Sequence, residues 1–223
     1  MALRWLFRAM DKATLADKNY RFLFEPGPPD EVVSIDCETT GLDRKRDEII
    51  SIAAIKIRGD RILASKAFTA VVRPRCAISA EAIKIHGLRE ADVANACPIR
   101  DILPDLLHFI GGRPLVGYYI DFDIAMLENH VLEFIGIQLP NPRIEVSGIY
   151  YERKYGDAPP GTQIDLTFAQ ILRDLKLPLF NQHDAYADAL MTAMIYVGLK
   201  DLVERGVRIP RPRHRGVNDF QGG

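Results

Sequence analysis

Two acids separated by one residue, Asp36 and Glu38, follow directly after an apolar, strand-like segment at residues 32–35. Alternate residues of a strand point to the same face, so both carboxylates project together while Cys37 points to the other side. Carboxylates held this close repel each other, and one must take up a proton unless a cation lies between them. Because Mg²⁺ and Mn²⁺ prefer oxygen ligands, the pair indicates a divalent-metal site. A surface turn after a strand explains the same residues equally well.

A second acidic pair, Asp121 and Asp123, follows a strand-like segment at residues 115–118 and begins a helix. Acids are favoured in a first helical turn by the helix dipole and by capping, and taken alone this explains either aspartate. The pair nevertheless lies at the carboxyl end of a strand, where open α/β sheets bind ligands. Its position in the topology therefore resembles that of the first pair.

A third acidic segment runs from His183 through Asp184 to Asp188 and enters a helix expected at about 184–200. The helix is apolar nearly all round, which indicates burial. Its main apolar stripe is expected at Tyr186, Leu190, Ala193 and Val197. Asp188 would be costly among apolar neighbours unless paired with a cation or metal, whereas Asp184 fits the start of the helix. His183 could cap the helix or pack in the core, and beside a metal it could deprotonate water near neutral pH.

The composition limits the class of protein. The chain of 223 residues carries 29 Lys and Arg against 30 Asp and Glu, a formal net charge of −1, which excludes a strongly basic nucleic-acid coat. Its 3 cysteines contain no Cys-x-x-Cys spacing and suggest neither a disulfide framework nor a zinc site. No apolar run approaches the roughly 18 residues that a membrane span needs. Arg4 and Arg8 interrupt the apolar start, which argues against a signal peptide, so we expect a cytoplasmic protein without membrane contact.

The elements that must position these acids are an antiparallel meander followed by strand and helix units. The meander has expected strands at 32–36, 49–57 and 62–72, with a tight hairpin at 58–61. Helices are then expected at 79–85, 99–110, from 121, at 165–175 and at 184–200, with further strands at 114–118 and 143–146. This order predicts an α/β fold with a mixed sheet and helices on its faces.

Composition also divides the chain into three parts. Residues 1–29 form an N-terminal extension that could dock a partner or a second copy, or more simply cover the sheet. Residues 30–204 form the main domain. Residues 205–223, with several arginines and two final glycines, form a flexible basic tail that could contact phosphates or serve solubility.

In order and spacing, the three acidic segments resemble the motifs of the DnaQ-like 3′–5′ exonucleases of the DEDDh subgroup, similar to DNA polymerase III epsilon. They read Asp36-x-Glu38-Thr-Thr-Gly, Asp123 at the end of Tyr-Tyr-Ile-Asp-Phe-Asp, and His183-x-Ala-x-x-Asp188-Ala. Ile-Lys-Ile-His-Gly, ending at Gly87, is similar to a segment that these enzymes carry between the first two motifs. The resemblance covers residues 31–200 and implies a ribonuclease H-like fold.

The resemblance also implies an activity, hydrolysis of single-stranded nucleic acid, with DNA favoured, from the 3′ end to 5′-mononucleotides. Asp36, Glu38, Asp123 and Asp188 would hold two divalent metal ions, Mg²⁺ or Mn²⁺, and His183 would be the general base. Thr39, Gly41, Leu42 and His86 would contact the substrate. The implied partners are a nucleic-acid 3′ end and, in addition, a polymerase or a second copy of the chain.

One departure from the family and two competing classes remain open. Tyr118 and Tyr119 stand where many members have His-Asn, which changes the contacts behind Asp123; either ring could stack on a base or pack in the core. A haloacid-dehalogenase-type phosphotransferase also begins with an acidic pair after a strand, but there the second acid is Asp, and His183 would have no role. A non-catalytic module on the same fold could grip a nucleic-acid end or a polymerase without cutting.

Overall fold

The computed structural model describes residues 11–211, and its centre is a six-stranded mixed sheet. The strands are β1 (Glu31–Thr39), β2 (Ile49–Arg58), β3 (Arg61–Ile62), β4 (Phe68–Val71), β5 (Leu115–Gly117) and β6 (Arg143–Glu145). Their order is β3, β2, β1, β5, β6, with β4 also pairing with β2. β1 is antiparallel to β2 and parallel to β5, which is parallel to β6.

The antiparallel meander is confirmed, with one difference in its third strand. The expected strand at 62–72 is divided into β3 and β4 by a 3₁₀ turn at Ala64–Lys66. Both pieces pair antiparallel with β2, so β3 and β4 together take the place of the expected third strand. The hairpin between β2 and β3 turns at Gly59, whose φ of +59° lies in the left-handed region that favours glycine.

After helical residues at 11–14 and a 3₁₀ helix at Lys18–Phe24, seven α-helices between residues 80 and 204 surround the sheet. They are α1 (Ala80–His86), α2 (Glu90–Val93), α3 (Ile99–Ile110), α4 (Ile120–Ile135), α5 (Val146–Tyr155), α6 (Phe168–Asp174) and α7 (Ala185–Glu204). The sequence pattern predicted most of these, but α2 and α5 were not expected. α5 begins directly after β6, where Glu145 caps it by accepting a hydrogen bond from the Ser147 backbone N–H.

Helices cover both faces of the sheet, as predicted, and the alternation of β1 decides what each face receives. Val33, Ile35 and Cys37 enter a core with α3 and α4, whereas Val32 enters a second core with α5, α6 and α7. Ser34 shares the second face and donates a hydrogen bond to the Ala189 carbonyl at 2.8 Å. The even-numbered residues of β1 therefore face α7.

Parts of both expected terminal segments pack against the main body. Leu23 is fully buried in the first core, and Tyr20 packs its ring against His108 of α3 and Phe134 of α4, so residues 15–24 extend this core. At the other end, Ile209 is buried in the second core and its N–H donates to the Arg153 carbonyl. The expected flexibility therefore does not hold for residues 207–211; the rest of the tail, from residue 212, and residues 1–10 lie outside the described chain.

Across residues 11–211, none of the helices combines the length and the apolar character that crossing a membrane requires.

Candidate active site

The first two carboxylates come from the end of β1. Asp36 and Glu38 have the parity of Val32 and Ser34, so both side chains lie on the face that α7 covers. β1 pairs with β2 along its whole length, which fixes the direction of both side chains. As predicted from the alternation of a strand, Asp36 and Glu38 therefore project from the same face of β1.

Asp123 reaches the same place from the first turn of α4. Its Oδ1 accepts a hydrogen bond from the backbone N–H of Cys37 at 3.0 Å. β5 pairs with β1 only at Val33 and Ser34, so this amide lies beyond the end of β5 and has no strand partner on that side. The carboxylate takes the place of a strand carbonyl there. A backbone hydrogen bond therefore holds Asp123 beside Asp36 and Glu38.

The chain turn between β5 and α4 explains how Asp123 comes so close. A Cβ at Gly117 would lie 2.7 Å from the Cβ of Ile120, so only glycine allows this tight turn. Tyr119 follows with φ of +56°, a left-handed conformation that is uncommon for a non-glycine residue. α4 then begins directly over the end of the sheet.

Asp188 and His183 enter from the start of α7. The Asp188 Oδ2 accepts a hydrogen bond from the His183 backbone N–H at 2.8 Å, and His183 has φ of +64°. Asp184 caps the helix by accepting from the Ala187 N–H, as the sequence predicted. The Asp188 Oδ1 is buried and has no hydrogen-bond partner in the described chain. A buried carboxylate oxygen without a protein partner is a position where a bound cation would be stabilised.

The electrostatics of the cluster indicate the same need. One ligand atom each from Glu38, His183 and Asp188 lie within 4.8 Å of one another. Burial, and then the charges of Asp123, Asp188 and Glu38, raise the pKa of Asp36 well above its usual value. Burial raises the pKa of Glu38 to about 7 and that of Asp123 to about 8. Cations placed among these groups would return them to their charged forms.

An open cleft of about 640 Å³ contains the four carboxylates together with His183. Leu42, which the sequence predicted as a substrate contact, lines it and is 79% exposed. The other predicted contacts, Thr39, Gly41 and His86, do not line the cleft. The structure therefore brings together the predicted catalytic residues and only one of the four predicted substrate contacts.

Thr39 and Gly41 make contacts that stabilise the loop after β1. The Thr39 hydroxyl donates to the Gly41 carbonyl at 2.6 Å. A Cβ at Gly41 would lie 2.5 Å from the Asp47 carboxylate, so glycine permits this close approach. Asp47 in turn accepts hydrogen bonds from the Thr40 hydroxyl and the Asp43 N–H. These contacts hold the loop that carries Leu42.

His86 ends α1, and its ring lies in a buried environment near His183. The Nδ1 accepts a hydrogen bond from the Leu88 N–H at 3.0 Å, so the neutral ring carries its proton on Nε2. This Nε2 is buried without a partner in the described chain. Burial lowers the pKa of His86, a backbone interaction with Thr39 opposes this, and nearby His183 lowers the pKa again. The imidazole is therefore a neutral donor beside the cluster.

Several residues that line the cleft were not singled out from the sequence as site residues. They are Arg44, Phe122, Glu145 and Ser147. Glu145 is the last residue of β6, and the argument that selected Asp36 and Asp123 could have selected it too. Its carboxylate accepts hydrogen bonds from the N–H groups of Ile120 and Ser147, so it joins the starts of α4 and α5.

The two tyrosines that depart from the family pattern, Tyr118 and Tyr119, have different environments: one is packed within the protein and the other is exposed. The Tyr118 hydroxyl donates to the Leu166 carbonyl at 3.0 Å, and its ring packs on Phe168. Tyr119 is 62% exposed at the mouth of the cleft, with its ring centroid 4.5 Å from that of Tyr118. Tyr118 is thus held by the protein, whereas Tyr119 presents an open aromatic face.

This fold and this acidic cluster together define a nuclease of the ribonuclease H-like class. The sequence pattern of the exonuclease family, RNase_T, matches residues 33–196, and the chain belongs to this family. The predicted family, fold and enzyme class are therefore confirmed.

Two of the named relatives are DNA polymerase III proteins. It is 31% identical over 179 residues to the PolC-type DNA polymerase III of Caldanaerobacter subterraneus, covering 80% of this chain and 12% of that protein. It is 27% identical over 165 residues to DNA polymerase III subunit epsilon of Aquifex aeolicus, covering 74% of this chain and 78% of that subunit. The chain thus spans about an eighth of the PolC-type relative.

The fold is also that of a solved exonuclease. The structure of Exonuclease X in complex with 5′ overhanging duplex DNA superimposes with a TM-score of 0.59 at 24% sequence identity, covering 80% of this chain and 95% of the other. At this identity the likeness establishes the fold.

Proposed function

We propose that the chain is a metal-dependent 3′–5′ exonuclease that removes 5′-mononucleotides from single-stranded nucleic acid, with DNA favoured over RNA. The observation that carries this proposal is the meeting of four carboxylates from three separate elements around a buried oxygen of Asp188 that lacks a partner. A protein that did not bind cations would gain nothing from this arrangement, because burial and repulsion both oppose it.

The donor set fits divalent cations. Asp36, Glu38, Asp123 and Asp188 supply only oxygen ligands, which suit Mg²⁺ and Mn²⁺. The chemistry that two such ions supply when bound is a lowered pKa for a water molecule and stabilisation of the leaving oxygen. The chain's own contribution is to hold these carboxylates on β1, α4 and α7 before any ligand arrives.

His183 is the proposed general base. Its backbone is fixed by the hydrogen bond to Asp188, and its exposed ring stands within reach of Glu38 and Asp188. In the proposed step the imidazole accepts a proton from a water whose oxygen forms a bond to the phosphorus. The bond from phosphorus to the 3′ oxygen breaks and this oxygen takes a proton from solvent, which releases a 5′-mononucleotide and leaves a new 3′-hydroxyl on the strand.

The preference for a DNA end and the partner follow from the relatives and from the cleft mouth. The relatives are named as DNA polymerase III proteins, which supports a DNA substrate and a polymerase partner for this chain. Leu42 and Tyr119 are both exposed beside the carboxylates, where they can contact the base or sugar of a terminal nucleotide. Thr39, Gly41 and His86 stay as proposed contacts, through their backbone groups.

The proposal is tested by comparing two aspartates one residue apart. Asp123→Asn should reduce hydrolysis of 5′-labelled single-stranded DNA by at least about a hundredfold, because it removes a metal-binding charge. Asp121→Asn is the matched control, since Asp121 is exposed and pairs with Arg143, and it should keep near wild-type activity. The wild-type ladder should shorten by single nucleotides, stop in EDTA and resume with Mg²⁺ or Mn²⁺.

Equal activity of Asp123→Asn and Asp121→Asn, or hydrolysis that persists in EDTA, would contradict the metal-dependent mechanism. A 5′-labelled RNA of the same sequence measures the preference for DNA. In the same assay His183→Asn tests the base, because asparagine tolerates the left-handed backbone that this position requires. A wild-type rate in that variant would remove His183 from the proposed step.

A further inference from the structure

A second cleft, of about 390 Å³, lies on the other side of the loop at residues 40–48. Its floor is apolar and includes the buried side chains of Ile49, Val72 and Leu103. Its walls come from the segment at 72–75, the start of α3 and the second half of α4. The size and the apolar floor are those of a site for one small organic group.

The rim of this cleft is basic. Arg73, Arg75 and Arg100 all line it, and Arg75 pairs with Glu48 at 2.8 Å. The guanidinium groups of Arg73 and Arg100 form no ion pair within residues 11–211. Glu133 is the opposing charge at this rim. The arginine charges therefore exceed the carboxylate charges here, although the whole chain is almost neutral.

Aromatic rings stand beside these guanidinium groups. His130 and Phe134 line the same cleft, one turn apart on α4. Burial lowers the pKa of His130, so its imidazole is a neutral, flat group at pH 7. Arginines along a groove together with flat rings are the combination that binds single-stranded nucleic acid, through phosphates and stacked bases.

The cleft is joined to the carboxylate cluster by α4 and by the loop at 40–48. Asp123 and His130 are seven residues apart on α4, which is about 10 Å along the axis. The loop at 40–48 contacts α4 at both places: the Arg44 guanidinium lies over the ring of Phe122, next to Asp123, at 5.7 Å, and Asn129, next to His130, donates to the Arg44 carbonyl at 2.7 Å. The separation of about 10 Å between Asp123 and His130 corresponds to roughly three nucleotides of a stacked strand.

We propose that the arginine-rimmed cleft binds a nucleotide of the substrate strand about three positions upstream of the 3′ end, with Arg73 and Arg100 on its phosphates. This inference rests on the proposed exonuclease function and specifies the path of the substrate strand beyond the carboxylate cluster. Arg44 lies on the path between the two clefts. The substrate strand thus runs along α4, and its binding depends on a local group of arginines rather than on the net charge of the chain.

The test compares substrates that reach the cleft with substrates that do not. Arg73→Ala and Arg100→Ala should each raise the KM for a single-stranded DNA of about ten nucleotides roughly fivefold at 0.1 M salt, with kcat unchanged. The slope of log KM against log salt should fall by about 0.7 for each arginine removed. Hydrolysis of a dinucleotide and of the p-nitrophenyl ester of thymidine 5′-monophosphate should not change.

Two further variants make the test specific. Arg61→Ala removes an equally exposed arginine at β3, at the opposite end of β2 from the cleft, and should behave as the wild type on every substrate. Glu133→Gln removes the opposing charge at the rim and should lower the KM for the longer DNA, a gain that misfolding cannot produce. Thermal melting confirms that each variant is folded.

The outcomes separate this inference from the proposed function. If the wild type hydrolyses the ester but the Arg73→Ala, Arg100→Ala double variant keeps the wild-type KM for the longer DNA, the cleft does not bind the strand. The same result is expected if the cleft accepts an acidic segment of a partner protein, and it overturns the proposal equally. Equal losses on the ester and the longer DNA would also overturn it. A wild type that leaves the ester intact in Mg²⁺ and Mn²⁺ would contradict the exonuclease function instead.

Discussion

Asp36, Glu38 and Asp123 are carboxyl groups held where the charged form is unfavourable in the absence of cations. Burial is the first cause for all three, and neighbouring carboxylates also raise the pKa of each. Their raised pKa values mean that the folded protein without metal holds protons that the unfolded chain releases. The free energy of unfolding without metal therefore depends on pH through these groups.

The sign of this dependence can be worked out from Glu38 and Asp123. Their pKa values rise from near 4 in the unfolded chain to about 7 and about 8 in the fold. Their contribution is fully favourable below the unfolded value and is lost as the pH rises through the folded values. In EDTA we expect their contribution to lower the melting temperature between pH 5 and pH 8, and Mg²⁺ or Mn²⁺ should restore stability at pH 8.

Asp123→Asn provides the comparison, because His86 and His130 have lowered pKa values and act in the opposite direction in both proteins. In EDTA the variant should gain stability relative to the wild type as the pH rises, and the metal should stabilise it less. Thermal melts at several pH values measure both differences. Parallel pH profiles of the two proteins would show that Asp123 does not carry a raised pKa.

Residue types and strand alternation were enough to select Asp36 and Glu38 for one face. The same reasoning could not reveal that Asp123 is held by the Cys37 amide, since this depends on β5 ending early. Nor could it predict that Thr39 and Gly41 would be occupied in holding their own loop. Contacts between segments far apart in sequence decide these points.

At the scale of elements, α7 was predicted correctly, but its buried face was not. The expected stripe included Tyr186, which is 37% exposed, whereas Ala185 and Ala189 pack against β2. Hydrophobicity ranks tyrosine and leucine above alanine, but small residues allow the helix to approach the sheet closely enough for Ser34 to reach the Ala189 carbonyl. Close approach, rather than apolar area, sets the orientation of α7 and brings Asp188 over β1.

α5 and α6 are joined by a buried polar cluster that the sequence pattern did not indicate. Lys154 is buried, and its ammonium donates to the Asp174 carboxylate and to the Tyr150 hydroxyl. Tyr150 donates to the same carboxylate, and Gln170 donates to its other oxygen. Alternation of polar and apolar residues in α5 is weak, which explains why this helix was not expected.

Asp174→Ala should destabilise the fold by about 3 kcal/mol, because it leaves the buried Lys154 charge without a partner. The double variant Lys154→Met, Asp174→Asn removes both charges and keeps an acceptor for Tyr150, so it should lose less than about 1 kcal/mol. Asp201→Ala, which breaks an exposed pair with Arg205, should change stability by no more than about 0.5 kcal/mol. Urea unfolding measures all three, and equal losses in the single and double variants would contradict the pairing.

At the scale of the whole molecule, segments expected to be accessory are part of the core. Leu23 is fully buried against α3 and α4, and Ile209 is buried beside α5 and α7. Composition separated residues 1–29 and 205–223 because prolines, glycines and arginines are concentrated there. A few buried apolar side chains outweigh that signal, Leu15, Tyr20, Leu23 and Phe24 in the first segment and Ile209 in the second, and composition averages cannot detect them.

Leu23→Ala should therefore reduce the free energy of unfolding by about 3 kcal/mol, as expected for a leucine removed from a packed core. Leu132→Ala is the matched control, since Leu132 lies on α4 but is half exposed, and it should lose less than about 1 kcal/mol. Urea unfolding followed by circular dichroism measures both. Equal losses would show that residues 15–24 do not stabilise the fold.

The hydrogen bond from the Cys37 amide to Asp123 also gives the protein a natural spectroscopic reporter. Its proton lies inside the sheet, 3.0 Å from N to Oδ1, and points at a carboxylate whose charge changes with pH and with bound cations. The nitrogen and proton resonances of this one amide should therefore follow the ionisation of Asp123. Occupancy of the cluster can thus be followed by NMR in the unmodified chain, before any substrate is known.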